Sequence, residues 1–187
     1  LGSYSWNIHN RRRSWQEILF AASSELGLTV FDRNSDRRSP NYRYPDLPWL
    51  EVRPGVHHTE TAQIYRDYMV SLNVNTVEGS GTMFSRRLIE ILACGGLAVT
   101  TPGISVDRYF RDYCHVVTNE AEARDLMSSL KNGLTPRDRD MVAAGAEHVH
   151  KQHSWTHRLE EMIKVISHRK TGTGSRMALG EVRSLSA

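Results

Sequence analysis

The sequence predicts an α/β fold: a Rossmann-like parallel sheet of about six strands, helices on both faces, and a C-terminal helical cap. Short runs rich in Val, Leu, Thr and Phe alternate with segments whose apolar residues recur at helical spacing, and Gly or Pro punctuates the changes. The last third breaks that alternation, with helical patterns following one another and no strand between them.

Taken in order, residues 3–7 read as a short first strand. Residues 14–26 place Trp15, Ile18, Leu19, Ala22 and Leu26 on one helical face, and Gly27 is a natural stop. Residues 28–32 read as the second strand. The polar stretch 33–49 holds Pro40, Pro45 and Pro48 and is expected to be a loop, an excursion toward a ligand site. Residues 50–53 form a short strand ended by Pro54-Gly55, and a helix is expected over 59–69 with Ala62, Tyr65, Tyr68 and Met69 inward. Residues 70–77 alternate most clearly of all. A helix over 82–94 follows, then a strand over 97–100 closed by Pro102-Gly103, and a last strand at 114–118. The closing helices are expected at 120–130, 136–152 and 154–167, with Pro136 in a first turn and Ser154 as an N-cap. Trp155, Leu159, Met162, Ile163 and Ile166 make the last apolar stripe. Residues 169–187, rich in Gly, Ser and Thr, are expected to form a flexible tail, which leaves 1–168 as one domain.

At 187 residues the chain supports one well-cored domain but not two full α/β domains. A net charge of +3, with acidic and basic residues mixed, disfavours dedicated nucleic-acid binding and leaves an anionic small ligand open. Arg11, Arg12 and Arg13, with Arg33, Arg37 and Arg38, are the nearest thing to a basic cluster, and a solvated surface explains them as well as a ligand does. Cys94 and Cys114 sit in apolar surroundings without paired spacing, so reduced core cysteines of a cytoplasmic protein are expected. No run reaches the roughly 18–20 apolar residues of a membrane span. The start at Leu1-Gly2-Ser3, without Met, is read as that of a segment cut from something longer.

The informative stretch is 73–96, where a strand is expected to enter a glycine-containing turn and then a helix. At the carboxyl end of a parallel strand, free backbone N–H groups and a positive helix end would converge on one spot, suiting a diphosphate. Gly79, Ser80, Gly81 and Thr82 would form that turn, although a plain connection fits the same residues. On the helix, Phe84, Leu88, Ile91 and Leu92 form the buried stripe, so Arg86, Arg87 and Glu90 emerge elsewhere and close together. Two readings stand. An exposed Arg86–Glu90 pair at i,i+4 would be worth roughly 0.3 kcal/mol. Alternatively, Arg87 binds phosphates and Glu90 accepts both ribose hydroxyls.

The run Arg87-Leu88-Ile89-Glu90-Ile91-Leu92-Ala93-Cys94-Gly95-Gly96 resembles the Arg-x-Phe-Glu-x-x-Ala-Cys-Gly signature of the CgeB-like (spore-maturation) branch of group 1 glycosyltransferases. Ala144-Gly145-Ala146-Glu147 and His153-Ser154-Trp155-Thr156-His157-Arg158 resemble that family's closing helices, and a looser similarity extends from Ser3 to Ile166. The resemblance implies one half of a GT-B fold, binding a nucleoside-diphosphate sugar with no further cofactor. It implies that Glu90 binds the ribose and that Arg87 lies near the phosphates. It also implies an N-terminal acceptor-binding domain that this chain lacks. Related retaining transferases carry a second glutamate eight residues earlier, where this sequence has Thr82; Glu78 falls four residues too early. The alternative is therefore a degenerate, non-catalytic binding module.

Arg12 and Arg13, expected just before the first helix, would face a diphosphate from the opposite side, or else decorate a solvated helix start. His148, His150, His153 and His157 lack a completing carboxylate or cysteine, so no metal site is expected. His57-His58 fit either a base pocket or a surface loop. No Ser-His-Asp arrangement, Walker-type loop or Gly-x-Gly-x-x-Gly turn is present.

Overall fold

The computed structural model describes residues 2–7, 9–37 and 39–171, the side chains of 168–171 excepted. The expected tail thus lies, from residue 172 on, outside the described residues. Among the described residues five strands, against about six expected, and seven α-helices follow one another: α1 (Asn10–Ala22), β1 (Leu28–Asp32), β2 (Leu50–Pro54), α2 (Thr61–Asp67), β3 (Val70–Asn73), α3 (Arg86–Ala93), β4 (Leu97–Thr100), α4 (Ile104–Tyr109), β5 (His115–Val116), α5 (Glu120–Leu130), α6 (Pro136–Gln152) and α7 (Trp155–Thr171). The chain forms two units, Leu1–His150 and Lys151–Ala187.

Every strand pairing is parallel, with β1 beside β2 in one sheet and β3, β4 and β5 side by side in another. β4 is buried along its whole length, as expected of a strand covered on both faces. Its side chains alternate. Leu97 and Val99 join Leu19, Ala22, Ala123, Met127 and Leu130 from α1 and α5, whereas Ala98 joins Leu88, Ile91 and Leu92 of α3 and Val106 of α4. Leu88, Ile91 and Leu92 are 0% exposed, and burial of each stabilises the fold by about 1.5–3 kcal/mol. Gly95, at φ 73, ends α3 by turning the chain so that Gly96 N–H donates to the Ile91 carbonyl at 2.9 Å.

Four expectations need correction. Residues 3–7 form no strand: only Gly2 pairs, in parallel, with Asp32. Beyond it, Trp6 N–H donates to the Asn41 carbonyl and Asn7 N–H to the Asn41 side chain, each at 3.0 Å, so the 33–49 loop diverts the chain. The first helix begins at Asn10 rather than Ser14, which puts Arg12 and Arg13 inside it. β3 ends at Asn73, short of the expected Val77, because buried Asn73, Asn75, Thr100 and Thr101 exchange side-chain hydrogen bonds there, including Asn73 Nδ2 to Thr100 Oγ1 at 2.8 Å. The 82–94 helix starts only at Arg86. Upstream, Ser80 Oγ accepts the N–H groups of Thr82 and Met83, and the Glu78 and Ser80 carbonyls accept from Ile104 and Ser105, which fastens 78–83 to the start of α4. The sequence pattern had left α4 unanticipated.

Candidate functional site

A cleft of about 940 Å³ opens at the carboxyl ends of β1 and β2, bounded by Arg33, Gly55 and His58 beyond those strands and by Tyr65 of α2. Arg86, Arg87, Glu90 and Cys94 form the α3 wall and Arg12 of α1 faces them. This is where parallel α/β sheets place their ligands. The 33–49 excursion reaches the site through its first residue, Arg33. Gly55 is held there by space: a Cβ would lie 2.9 Å from Arg33 Cα and 3.1 Å from the Asp32 carbonyl oxygen, both backbone atoms.

Arg12 is the most telling side chain. It is half-buried, its Nε is buried without a hydrogen-bond partner among the described residues, and its Nη2 donates to the Ser3 carbonyl at 3.3 Å. Burial holds its pKa below the usual arginine range, and repulsion from Arg87 and then Arg33 adds to that, against a small opposing effect of Tyr44. Three guanidinium groups therefore line one cleft, and of these Arg12 is half-buried and Arg33 exposed. Tyr44 is half-buried beside them, and its buried hydroxyl, also without a partner among the described residues, is held protonated by burial and by Asp32.

Glu90 presents a different picture. Its Oε1 accepts from Arg86 Nε at 2.8 Å, with Arg86 90% and Glu90 38% exposed, so the i,i+4 pair read from the sequence is formed. Its Oε2 accepts from the Tyr65 hydroxyl at 3.4 Å, and burial raises the Tyr65 pKa to about 12. The carboxylate remains on the cleft wall, one helical turn from Arg87.

The structure thus brings Arg12, Arg87 and Glu90 together. Gly79, Ser80, Gly81 and Thr82 are not on this wall. Their turn does not open α3 as the sequence suggested, and neither glycine adopts the left-handed region. Arg13 also turns elsewhere, donating to the Trp6 carbonyl, lying 5.8 Å over the Trp6 ring and pairing with Glu17. Glu78, four residues from the expected second-glutamate position, is engaged by Arg11 at 3.0 and 2.8 Å and by the Trp15 indole at 2.8 Å. His58 lines the cleft; His57 caps the following turn, its backbone N–H donating to the Glu60 carboxylate at 3.0 Å. Of the remaining histidines, His148 stacks on Tyr113 at 4.3 Å, and His150 bonds the Ala93 carbonyl at 3.2 Å. Among the described residues no three His, Cys, Asp or Glu side chains converge as metal ligands. No described helix is long and apolar enough to cross a membrane.

Arg33 is the residue that sequence reasoning did not select. Its position directly after β1, at the carboxyl end of a parallel strand, was the available signal.

Parallel strands flanked by helices, with a basic cleft at the strand ends, define a Rossmann-like domain. The chain belongs to the glycosyl transferase-like family, whose profile matches residues 11–164. A glycosyltransferase of known crystal structure from Rickettsia africae ESF-5 shares the fold at a TM-score of 0.63 and 15% sequence identity, over 90% of this chain and 46% of that one. The chain therefore spans about half the length of that protein (46%). No curated protein matches it.

Proposed function

We propose that this chain is the donor-binding half of a GT-B glycosyltransferase of the CgeB-like branch, and that its cleft holds a nucleoside-diphosphate sugar. The observation that carries the reading is the half-buried Arg12, with an unpartnered Nε and facing Arg87 and Arg33. Such an arrangement is unfavourable in an empty site and becomes favourable once a multivalent anion enters it. Arg12, Arg33 and Arg87 hold the two phosphates. Glu90 exchanges Arg86 for the ribose hydroxyls, and the space toward His58 and Gly55 receives the base. As the acceptor oxygen bonds to the sugar's anomeric carbon and the bond from that carbon to the diphosphate oxygen breaks, negative charge builds on the leaving nucleoside diphosphate, and arginines already in place stabilise it without reorganising. The acceptor and its base belong to an N-terminal acceptor-binding domain, and the reduced thiols of Cys94 and Cys114 suit a cytoplasmic setting.

The test is calorimetry with UDP, GDP and ADP against the matching nucleosides, on the chain and on Arg12→Ala. A diphosphate should bind in preference to its nucleoside, and the substitution should remove most of that preference. Failure of every diphosphate to bind would overturn the reading.

One observation favours the second reading, a non-catalytic module. The position eight residues before Glu90 holds Thr82, which is exposed and off the cleft wall, and Glu78 is committed to Arg11 and Trp15. Both readings bind nucleotide. They part on turnover: labelled nucleotide-sugars incubated with the chain joined to an acceptor-binding half are consumed only if the site is catalytic.

A further inference from the structure

Beside the cleft, and sharing Ser3, Arg12 and Arg33 with it, lies a second pocket of about 240 Å³ between α1 and the turn that follows β1. Arg37 and Tyr42 of the 33–49 excursion line it, as do Ser5 and His9 of the segment before α1, and none of these four lines the cleft. Every lining residue carries a polar group, three are arginines, and none is Asp or Glu. The acids near these residues in sequence are turned to other uses. Asp32 accepts the Asn34 N–H at 3.0 Å, Glu17 accepts the Tyr4 hydroxyl at 3.1 Å and pairs with Arg13, and Asp36 does not line the pocket.

Arg37 is presented rather than neutralised. Its guanidinium lies 4.9 Å over the Tyr42 ring, and no carboxylate pairs with it among the described residues. Stacking occupies a face of the planar group and leaves its N–H edge, the part that holds an oxyanion by two parallel hydrogen bonds. Ser5 adds a donor: its Oγ accepts from Asn41 Nδ2 at 3.1 Å, which leaves the hydroxyl hydrogen to give. His9 stands at the start of α1 in the left-handed region, at φ 58, and its side chain makes no cap bond to the helix. Three cations facing no acid suit a dianion. The volume lies below the roughly 300–1,000 Å³ of sites for drug-sized ligands, so a single phosphate group fits where a second nucleotide does not.

We infer that this pocket is an anion site separate from the nucleotide cleft, and that it takes one phosphate group, as the free ion or as the head of a small phosphate ester. Arg37 holds the group by the edge of its guanidinium, and Arg12 and Arg33 supply charge from the residues that both spaces share.

Amide NMR of the unaltered chain tests this, with inorganic phosphate and glycerol phosphate titrated against sodium chloride at matched ionic strength. Phosphate should produce saturable shifts at Asn34, Arg37 and Tyr42 that chloride does not. Arg37→Ala should weaken that binding by about tenfold or more, while its affinity for UDP, read by calorimetry, should stay within about twofold of the unaltered chain, because Arg37 is not on the cleft wall. Tighter binding of glycerol phosphate would assign the pocket to an ester and tighter binding of inorganic phosphate to the free ion, and either result supports the site. Shifts that chloride reproduces would overturn the proposal, and so would phosphate binding that Arg37→Ala leaves intact. The UDP titration keeps the two readings apart. A chain that binds phosphate through Arg37 but no UDP retains this site and loses the donor reading, and the converse loses this site alone.

Discussion

Replacing Glu90 by Gln separates the two roles open to it. The carboxylate pairs with Arg86 at 2.8 Å, but Arg86 is 90% exposed. Water and salt screen such a pair, and i,i+4 pairs of this kind contribute about 0.3–0.5 kcal/mol. The Tyr65 hydroxyl at 3.4 Å contributes little at that length. Glu90→Gln should therefore lower folding stability by no more than about 0.5 kcal/mol in a urea titration. Against a ribose the same change is larger. Gln keeps the shape and one acceptor oxygen but loses the charge that strengthens two hydrogen bonds, a loss of about 1.5–3 kcal/mol, which weakens the dissociation constant by roughly 10–150-fold. Calorimetry with a nucleoside diphosphate reads this directly. The same ligand lacking both ribose hydroxyls supplies the control, since wild type and variant should bind it alike. Arg86→Ala, which frees Glu90, should leave ribose binding intact. Unchanged affinity of Glu90→Gln for the ribonucleotide would refute the reasoning and leave Glu90 as one member of a surface pair.

Arg87→Ala should weaken a diphosphate far more than the bare nucleoside, whereas Arg86→Ala should treat the two alike; equal losses for both ligands would remove Arg87 from the phosphates. Burial raises the Cys94 thiol pKa and pushes Cys114 up to about 12. A thiol reagent at pH 8 should therefore label Cys94 slowly and Cys114 only on unfolding, and bound nucleotide should slow Cys94 further, because Cys94 lines the cleft. Asp138 is buried. Desolvation pushes its pKa up, but hydrogen bonds from the Thr135 hydroxyl and N–H and from His115 outweigh this and leave it below the usual range. Its contribution to stability is thus complete above the ordinary aspartate pKa and is lost as pH falls from there through the folded value. Asp138→Asn should cost about 1–3 kcal/mol at neutral pH and should flatten the acid limb of the stability profile; an unchanged limb would show that other carboxylates set it.

The sequence was legible where local pattern and burial agree. β1, β4, α5 and α6 fall where their periodicity puts them, and Ser154 caps α7, its Oγ accepting from His157 N–H at 3.2 Å. The pattern failed where long-range hydrogen bonds override it. Nothing near residues 78–83 announces that Glu78 will bind Arg11, 67 residues earlier, or that its carbonyl will receive Ile104 N–H. Those bonds unwind the first turn expected of α3 and carry Gly79 to Thr82 away from the cleft. Residues 3–7 failed for a related reason, since Asn41 takes the backbone groups that a strand would have used. The side of α3 that carries Arg87 and Glu90 was legible because both lie inside a helix whose buried stripe of Leu88, Ile91 and Leu92 fixes its rotation.

Three consecutive arginines show how much of the site depends on helix rotation. Successive residues of an α-helix point about 100° apart, so Arg11, Arg12 and Arg13 cannot act on one ligand from one face. Arg11 leaves toward Glu78, whose carboxylate also receives the Trp15 indole, and together these bonds staple the first turns of α1 to the segment after β3. Arg13 leaves on the other side toward the Trp6 carbonyl and Glu17. Between them Arg12 has no carboxylate partner among the described residues, and α1 is held so that its guanidinium enters the cleft opposite Arg87. The two outer arginines thus act as positioning residues for the central one. Arg12 lies near two like charges, and under the proposed function a bound anion would relieve that repulsion. A ligand at 100 times its dissociation constant should therefore add about 2.7 kcal/mol to stability, and Glu78→Gln, which loosens the staple without touching the cleft, should weaken that ligand while sparing the packing of Leu88, Ile91 and Leu92.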